Sequence, residues 1–127
     1  MVFFIDMSNR WPYYIFMSNK KYKEKLDISQ WQSILYTIYN ILKDNQKTSV
    51  HVEDIALNNK KNFPSFFGWS KYPENIDLRQ IMRTLDKLKR DGYLIGSNTS
   101  TWSFSKDGFI YAEKLASYDL TFSSKLF

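Results

Sequence analysis

The chain has 127 residues, of which 43% are hydrophobic and 18% are aromatic, and it has no cysteine. This length and composition predict one domain with a hydrophobic core, and they exclude widespread disorder, disulfide frameworks, thiolate metal sites and cysteine nucleophiles. The formal net charge of +5 is focused in residues 20–25 and 79–90, which hold +3 and +4, so the chain suits nucleic acid, an acidic lipid surface or an acidic protein.

The chain begins with an apolar run, MVFFIDM, at residues 1–7. No positive segment precedes the run, Asp6 interrupts it, and Arg10 and Pro12 end it well short of a membrane span. We therefore predict neither a signal peptide nor a transmembrane segment. The expected location is the cytoplasm, with a peripheral position at membranes where partners bring the chain there.

An aromatic block, WPYYIF, follows at residues 11–16. Pro12 biases the residue before it, Trp11, towards an extended conformation. We expect residues 1–26 to form an extended arm that ends in a lysine-rich link. The link, KKYKEK at residues 20–25, is either solvated or in contact with an acidic membrane surface.

A first helix is predicted from residue 28, because apolar side chains recur at helical spacing up to residue 42. Asp27 is placed to accept hydrogen bonds from the first backbone amides, and Gln30 is placed to reach back, which predicts a capping box. The apolar positions are Ile28, Trp31, Ile34, Leu35, Ile38, Ile41 and Leu42.

A short β-type triplet at residues 50–52 leads into EDIALNNKK at residues 53–61. Acids at the start and lysines at the end suit the helix dipole, so we predict a short second helix. The single histidine, His51, stands beside Glu53 and Asp54. One imidazole with two acids at a helix start is more often a cap than a set of metal ligands, and we predict no metal site.

Residues 62–77 hold five aromatic side chains around two prolines and a glycine, and they cannot continue a helix. Rings interleaved with lysines are typical of platforms that stack single-stranded bases. The favoured alternative is that Phe66, Phe67 and Trp69 fill the core, because small domains need large side chains to bury enough area.

A third helix is predicted after Asp77, which repeats the capping-box spacing with Gln80, and Gly92 ends it. Its apolar stripe consists of Leu78, Ile81, Met82, Leu85 and Leu88.

After the third helix the pattern changes to period 2 in residues 93–95 and 102–104, on either side of GSNTST, which predicts a β-hairpin. Residues 105–118 predict a closing helix with Phe109, Ala112 and Leu115 or Ala116 on one side. The expected shared core includes Trp31, Ile34, Leu35, Ile38, Leu85, Leu88 and Trp102.

This order of helix, short strand, helix, helix, hairpin and helix resembles the winged-helix domain. The run LDKLKRDGYLIGSNTSTWSFSKDGFIYAEKL, residues 85–115, carries the resemblance most closely. It implies an α+β fold with one winged-helix domain, a helix-turn-helix plus a β-hairpin wing, at residues 27–118 and a tail at 119–127. The same fold serves transcription factors, polymerase subunits and scaffolds, so it leaves the function open.

The aromatic block and the sequence ISQWQSIL at residues 28–35 resemble the N-terminal winged helix of the small arm subunit of the ESCRT-II membrane-sorting complex, vacuolar protein sorting subunit twenty-five. In that family the proline-aromatic segment docks onto larger ESCRT-II subunits. One departure is Tyr13, where the family usually has a second proline. The resemblance assigns partner binding to Trp11, Pro12, Tyr13, Tyr14 and Ile15.

The third helix places several polar side chains opposite its apolar stripe, as 100° per residue requires. In a helix-turn-helix, Gln80 would face adenine, Arg83 guanine, and Lys87 and Arg90 phosphates, with Arg79 in the same basic segment. An ordinary solvated face explains the pattern equally well. The uncharged wing tip, GSNTST, counts against DNA.

The leading hypothesis from the sequence is a non-enzymatic interaction module that binds larger ESCRT-II-type subunits or itself. The alternative is a transcriptional regulator that binds duplex DNA through the third helix. The sequence has no nucleophile triad, phosphate-binding glycine loop or isolated carboxylate pair. We therefore expect no enzymatic activity, no small-molecule substrate and no cofactor.

Overall fold

A computed structural model describes residues 23–96 and 101–121 of the chain. These residues form a mixed α+β fold, which confirms the predicted class. The helices are α1 (Gln30–Asn45), α2 (Val52–Asn62), α3 (Leu78–Arg90) and α4 (Lys106–Ala116). The strands are β1 (Lys25–Asp27), β2 (Val50–His51), β3 (Leu94–Gly96), β4 (Thr101–Phe104) and β5 (Asp119–Thr121).

Three strands form an antiparallel sheet in the order β2-β4-β3. Val50 of β2 pairs with Trp102 on one edge of β4. On the other edge of β4, Phe104 pairs with Leu94 of β3. The predicted hairpin is therefore confirmed in its strands, while residues 97–100 at its tip lie outside the described part. The predicted triplet at 50–52 is one residue too long, because Val52 begins α2.

A second, two-stranded parallel sheet joins the two ends of the described chain. Leu26 of β1 pairs with Leu120 of β5, and Asp27 pairs with Thr121. Both leucines are partly buried and pack against the core. Residues that precede the first predicted helix and residues that follow the last one therefore pack against the same core.

The start of α1 differs from the prediction. Ser29, and not Asp27, is the N-cap, and the side-chain Oε1 of Gln32 accepts from the Ser29 backbone nitrogen at 2.9 Å. Asp27 belongs to β1, and the strand pairing continues through Ile28, whose nitrogen donates to the Thr121 carbonyl at 2.9 Å. Backbone pairing with β5 therefore delays the helix by two residues.

The Asp77 cap and the glycine stop of α3 follow the prediction, but the second half of the predicted capping box does not form, because the backbone nitrogen of Asp77 donates to the Phe67 carbonyl and not to the Gln80 side chain. The Oδ1 of Asp77 accepts from the backbone nitrogen of Gln80 at 3.1 Å. At the other end Gly92 has a φ of 90°, and the nitrogen of Tyr93 donates to the carbonyl of Leu88 at 2.9 Å. Such a left-handed turn closes the last helical turn and favours glycine.

The hydrophobic core lies between the four helices and the three-stranded sheet, and α4 contributes Ala112 and Leu115 to it. Its fully buried side chains include Ile34, Leu35, Ile38, Leu85 and Leu88, as predicted. Trp102 is buried as well, while Trp31 is partly buried and packs against the core. The prediction that Leu78 and Phe109 face the core is wrong, because Leu78 is 43% exposed and Phe109 is 45% exposed.

A buried polar contact fixes α2 against α1. The side-chain nitrogen of Asn59 donates to Ser33 Oγ at 2.9 Å and to Thr37 Oγ1 at 3.1 Å. All three residues are buried, so these hydrogen bonds form away from water and set the register of the two helices.

Candidate functional site

Helix α3 has two faces of opposite chemistry. Ile81, Leu85 and Leu88 are buried on one side. The polar residues singled out from the sequence are all exposed, and α3 brings them together along its outer surface over its whole length. This surface, called the α3 basic face below, consists of Arg79, Gln80, Arg83, Lys87 and Arg90.

The α3 basic face keeps most of its charge free. Lys87 forms an ion pair with Asp91 at 3.2 Å, and both side chains are largely exposed, so the pair contributes little to stability. The guanidinium groups of Arg79, Arg83 and Arg90 form no ion pair with any described residue. An anionic ligand would therefore displace no ion pair that these groups form with residues 23–96 or 101–121.

An aromatic loop precedes the α3 basic face. Gly68 and Ile76 form an isolated bridge, and the nitrogen of Trp69 donates to the Asn75 carbonyl at 3.1 Å. The loop is thus closed at its base directly before the cap of α3. It exposes half of the Trp69 and Tyr72 side chains.

The loop corrects one prediction for residues 62–77. Phe66 and Phe67 are buried and fill the core as expected, with Phe63 stacked on Phe66 at 5.9 Å between ring centroids. Trp69 does not fill the core, because the bridge at Gly68 turns the chain outwards. The side-chain nitrogen of Lys71 lies 5.8 Å from the ring centre of Tyr72, so this loop presents aromatic rings beside a cation.

A groove on another side of the molecule was not predicted from the sequence. It has a volume of about 580 Å³ and lies between the second half of α1, the end of β4 and the start of α4. Its apolar floor consists of Tyr39, Leu42, Phe104 and Phe109. Its exposed basic rim consists of Lys43, Lys47 and Lys106. We call it the lysine-rimmed groove.

A sequence signal for this groove exists at the start of α4. Phe109 and Ile110 are adjacent, so a helix cannot bury both against one neighbour. The structure leaves both about half exposed, with only Phe109 on the groove floor. The other floor residues come from elements far apart in sequence, which conceals the site in the linear chain.

His51 serves as the cap of α2, in agreement with the sequence analysis. Its Nδ1 accepts from the backbone nitrogen of Glu53 at 3.1 Å, which uses the imidazole to satisfy a free helix-start amide. Within the described part of the chain, no three histidine or acidic side chains are grouped to hold a metal ion.

The predicted partner-binding residues Trp11, Pro12, Tyr13, Tyr14 and Ile15 lie outside the described residues. Among the helices of the described part, none is long and apolar enough to span a membrane. Comparison of the chain with protein-family models, with curated proteins and with solved structures found no match.

Proposed function

We propose that residues 27–118 form a winged-helix domain. The order of helices and strands supports this proposal, as does the sheet order, in which β2 lies beside β4 of the hairpin. One departure is the connection at residues 63–77, because a helix-turn-helix usually has a turn of about three or four residues. The closed aromatic loop accounts for the extra length.

Within this fold we propose that the chain is a non-enzymatic protein that binds duplex DNA through the α3 basic face. The observation that carries the proposal is the separation of α3 into a buried apolar face and an exposed face, on which three guanidinium groups form no ion pair within the described part of the chain. A helix inserted into the major groove needs this division, because one face must hold it to the domain while the other contacts DNA.

The positions along α3 suggest separate roles. Gln80 and Arg83 lie in its first half, and amide and guanidinium groups pair well with adenine and guanine edges. Lys87 and Arg90 lie in its second half and suit phosphates. The wing tip, GSNTST, adds no charge, so we expect α3 to supply most of the electrostatic attraction.

The test is a titration of a labelled random duplex at several salt concentrations. The double variant Arg83→Ala, Lys87→Ala should bind more weakly, and its slope of log K against log salt should fall by about 0.9 per lost phosphate contact. The matched control, Lys25→Ala with Lys114→Ala, removes two exposed charges away from α3 and should keep the wild-type slope. A folded Arg83, Lys87 variant with unchanged affinity and slope would refute the proposal.

A second candidate function is a protein-protein interaction module similar to the small arm subunit of ESCRT-II. The aromatic block at residues 11–16 favours it, because rings in a desolvated pocket dominate many binding interfaces. The described part of the chain enters β1 through Lys23 and Glu24, and both are exposed. Larger ESCRT-II-type subunits or a second copy are the partners under this candidate.

Deletion of residues 1–16 separates this candidate from an internal structural role. Loss of self-association or subunit binding, with the melting temperature little changed, would support docking by the aromatic block. A large fall in melting temperature with association unchanged would assign these residues to the core and would remove the main support for the ESCRT-II resemblance.

A further inference from the structure

The lysine-rimmed groove has the chemistry of a peptide-binding site. We propose that it binds an acidic amphipathic segment of another protein, in which aromatic or aliphatic side chains alternate with carboxylates. The proposal is independent of duplex binding, because the groove and the α3 basic face have no residue in common.

The floor of the groove offers a pocket for an apolar anchor. The ring of Phe109 lies 5.9 Å from that of Tyr39 and 6.2 Å from that of Phe104, centre to centre. These contacts hold Phe109 in place although nearly half of its surface is exposed to water. A preformed aromatic surface of this kind gains affinity by burying a partner's apolar side chain.

The floor is also uncharged. Burial raises the pKa of Tyr39, and the nearby Glu113 and Tyr36 raise it further, so the phenol stays neutral at physiological pH. Other carboxylates are close in sequence, since Asp44 follows Lys43 and Asp107 follows Lys106. Neither of these carboxylates, nor Glu113, lines the groove.

The rim supplies positive charge that the described part of the chain leaves unpaired. Lys43, Lys47 and Lys106 form no ion pair with any described residue. They belong to different elements: α1, the turn after α1, and the first residue of α4. Because these lysines lie on different elements around an apolar floor, the rim suits carboxylates spaced along a peptide better than one small carboxylate.

The two ends of this chain are poor occupants of the groove. Residues 1–22 contain three basic side chains against Asp6, and residues 122–127 contain Lys125 and no acid. By their side chains both segments are net positive, so neither offers the excess of carboxylates that would pair with the lysine rim. Charge complementarity points to an acidic segment from a different molecule.

The experiment uses the full chain and a labelled peptide in which pairs of Asp alternate with Phe and Leu. Fluorescence anisotropy should give saturable binding that weakens with salt, because part of the attraction is electrostatic. A peptide with every Asp replaced by Asn keeps the apolar anchors and should bind about tenfold more weakly.

Two neighbouring residues give a matched pair of variants. Phe109→Ala should weaken binding about tenfold, whereas Ile110→Ala removes a similarly exposed side chain outside the groove and should not. A second pair of variants gives the same test if Phe109→Ala does not fold. Lys106→Gln should weaken binding severalfold, and Lys114→Gln, on the same helix outside the groove, should not.

Three results would overturn the proposal. The first is that the acidic peptide does not bind, and the second is that the Asn peptide binds equally well. The third is that the groove variants and their controls lose the same affinity. Arg83→Gln serves as a further control: if it weakens peptide binding as much as Lys106→Gln, the peptide recognises overall positive charge and the groove has no special role.

Discussion

The replacement Gly108→Ala tests how α4 is seated on the rest of the fold. Gly108 lies in the first turn of α4, and its nitrogen donates to Ser105 Oγ at 3.0 Å. The backbone carbonyl of Tyr93 lies directly over it and accepts from the nitrogen of Ser105 at 3.1 Å. A side chain at Gly108 would meet this carbonyl and not a flexible group.

The contact sets the size of the effect. A Cβ at Gly108 would stand 1.8 Å from the Tyr93 oxygen and 2.8 Å from its carbonyl carbon. Real Cβ contacts essentially never fall under 3.0 Å, so one backbone segment must move by more than 1 Å and the Ser105 to Tyr93 hydrogen bond must stretch. Overpacking of this kind costs about 3 kcal/mol, while the better helix propensity of Ala returns about 1 kcal/mol. We expect a net loss of about 2 kcal/mol.

Equilibrium unfolding in urea, followed by circular dichroism, measures this loss directly. The melting temperature should fall by about 10 °C, given the usual relation between free energy and melting temperature for a domain of this size. Lys114→Ala, on the exposed side of α4, should change the stability by less than about 0.5 kcal/mol. If Gly108→Ala is as stable as the unaltered chain, or more stable, the close approach of Tyr93 to α4 is wrong.

Three further replacements test other parts of the fold by the same unfolding measurement. Leu85→Ala should cost about 2–5 kcal/mol, because Leu85 is fully buried on α3 and leaves a cavity; a loss below about 1 kcal/mol would mean that α3 faces the other way. Gly96→Ala should cost about 1–3 kcal/mol, since its Cβ would lie 2.3 Å from the buried ring of Trp102, and unchanged stability would place that ring elsewhere. Asn59→Ala should cost about 1–3 kcal/mol through the hydroxyl groups that lose their partner, and a neutral result would contradict the buried contact between α1 and α2.

Helix α3 was predictable because all its signals are local. Asp77 at the start, Gly92 after the end and an apolar side chain at each inward position are enough to set its bounds and its buried face. Two errors lie at its start: Leu78 is exposed, and the backbone nitrogen of Asp77 donates to the Phe67 carbonyl instead of the Gln80 side chain. Helical spacing alone cannot tell whether a neighbouring element reaches that far along the helix.

The parallel pairing of β1 with β5 was not predictable from local patterns. Each strand has three residues with a single leucine inside, Leu26 in one and Leu120 in the other. The paired residues Asp27 and Thr121 are 94 positions apart. This long-range pairing also explains the error in the predicted start of α1. Two capping-box spacings overlap there, Asp27 with Gln30 and Ser29 with Gln32. Asp27 belongs to β1, so the capping box forms at Ser29.

The two candidate surfaces differ in the same way. The α3 basic face follows from one helix, because residues three and four apart must share a side, and the sequence therefore predicts its members. The lysine-rimmed groove needs the packing of α1 against α4 and the end of β4 before its residues meet. The sequence predicts that Phe109 lies on the buried face of the last helix. It does not predict that Phe109 lies at the edge of that face, where its ring forms part of the groove floor.

The placement of these surfaces makes the proposed binding activities separable from stability. On α3, Leu85 and Leu88 hold the helix to the core while Arg83 points to solvent, so replacement of the arginine removes charge without opening a cavity. In the groove, Lys106 is exposed in the same way. Variants at the two positions should therefore keep the unfolding free energy and lose different ligands, duplex DNA in one case and the acidic peptide in the other. Loss of both ligands from either single variant would mean that one shared field of positive charge, and not two built surfaces, accounts for binding.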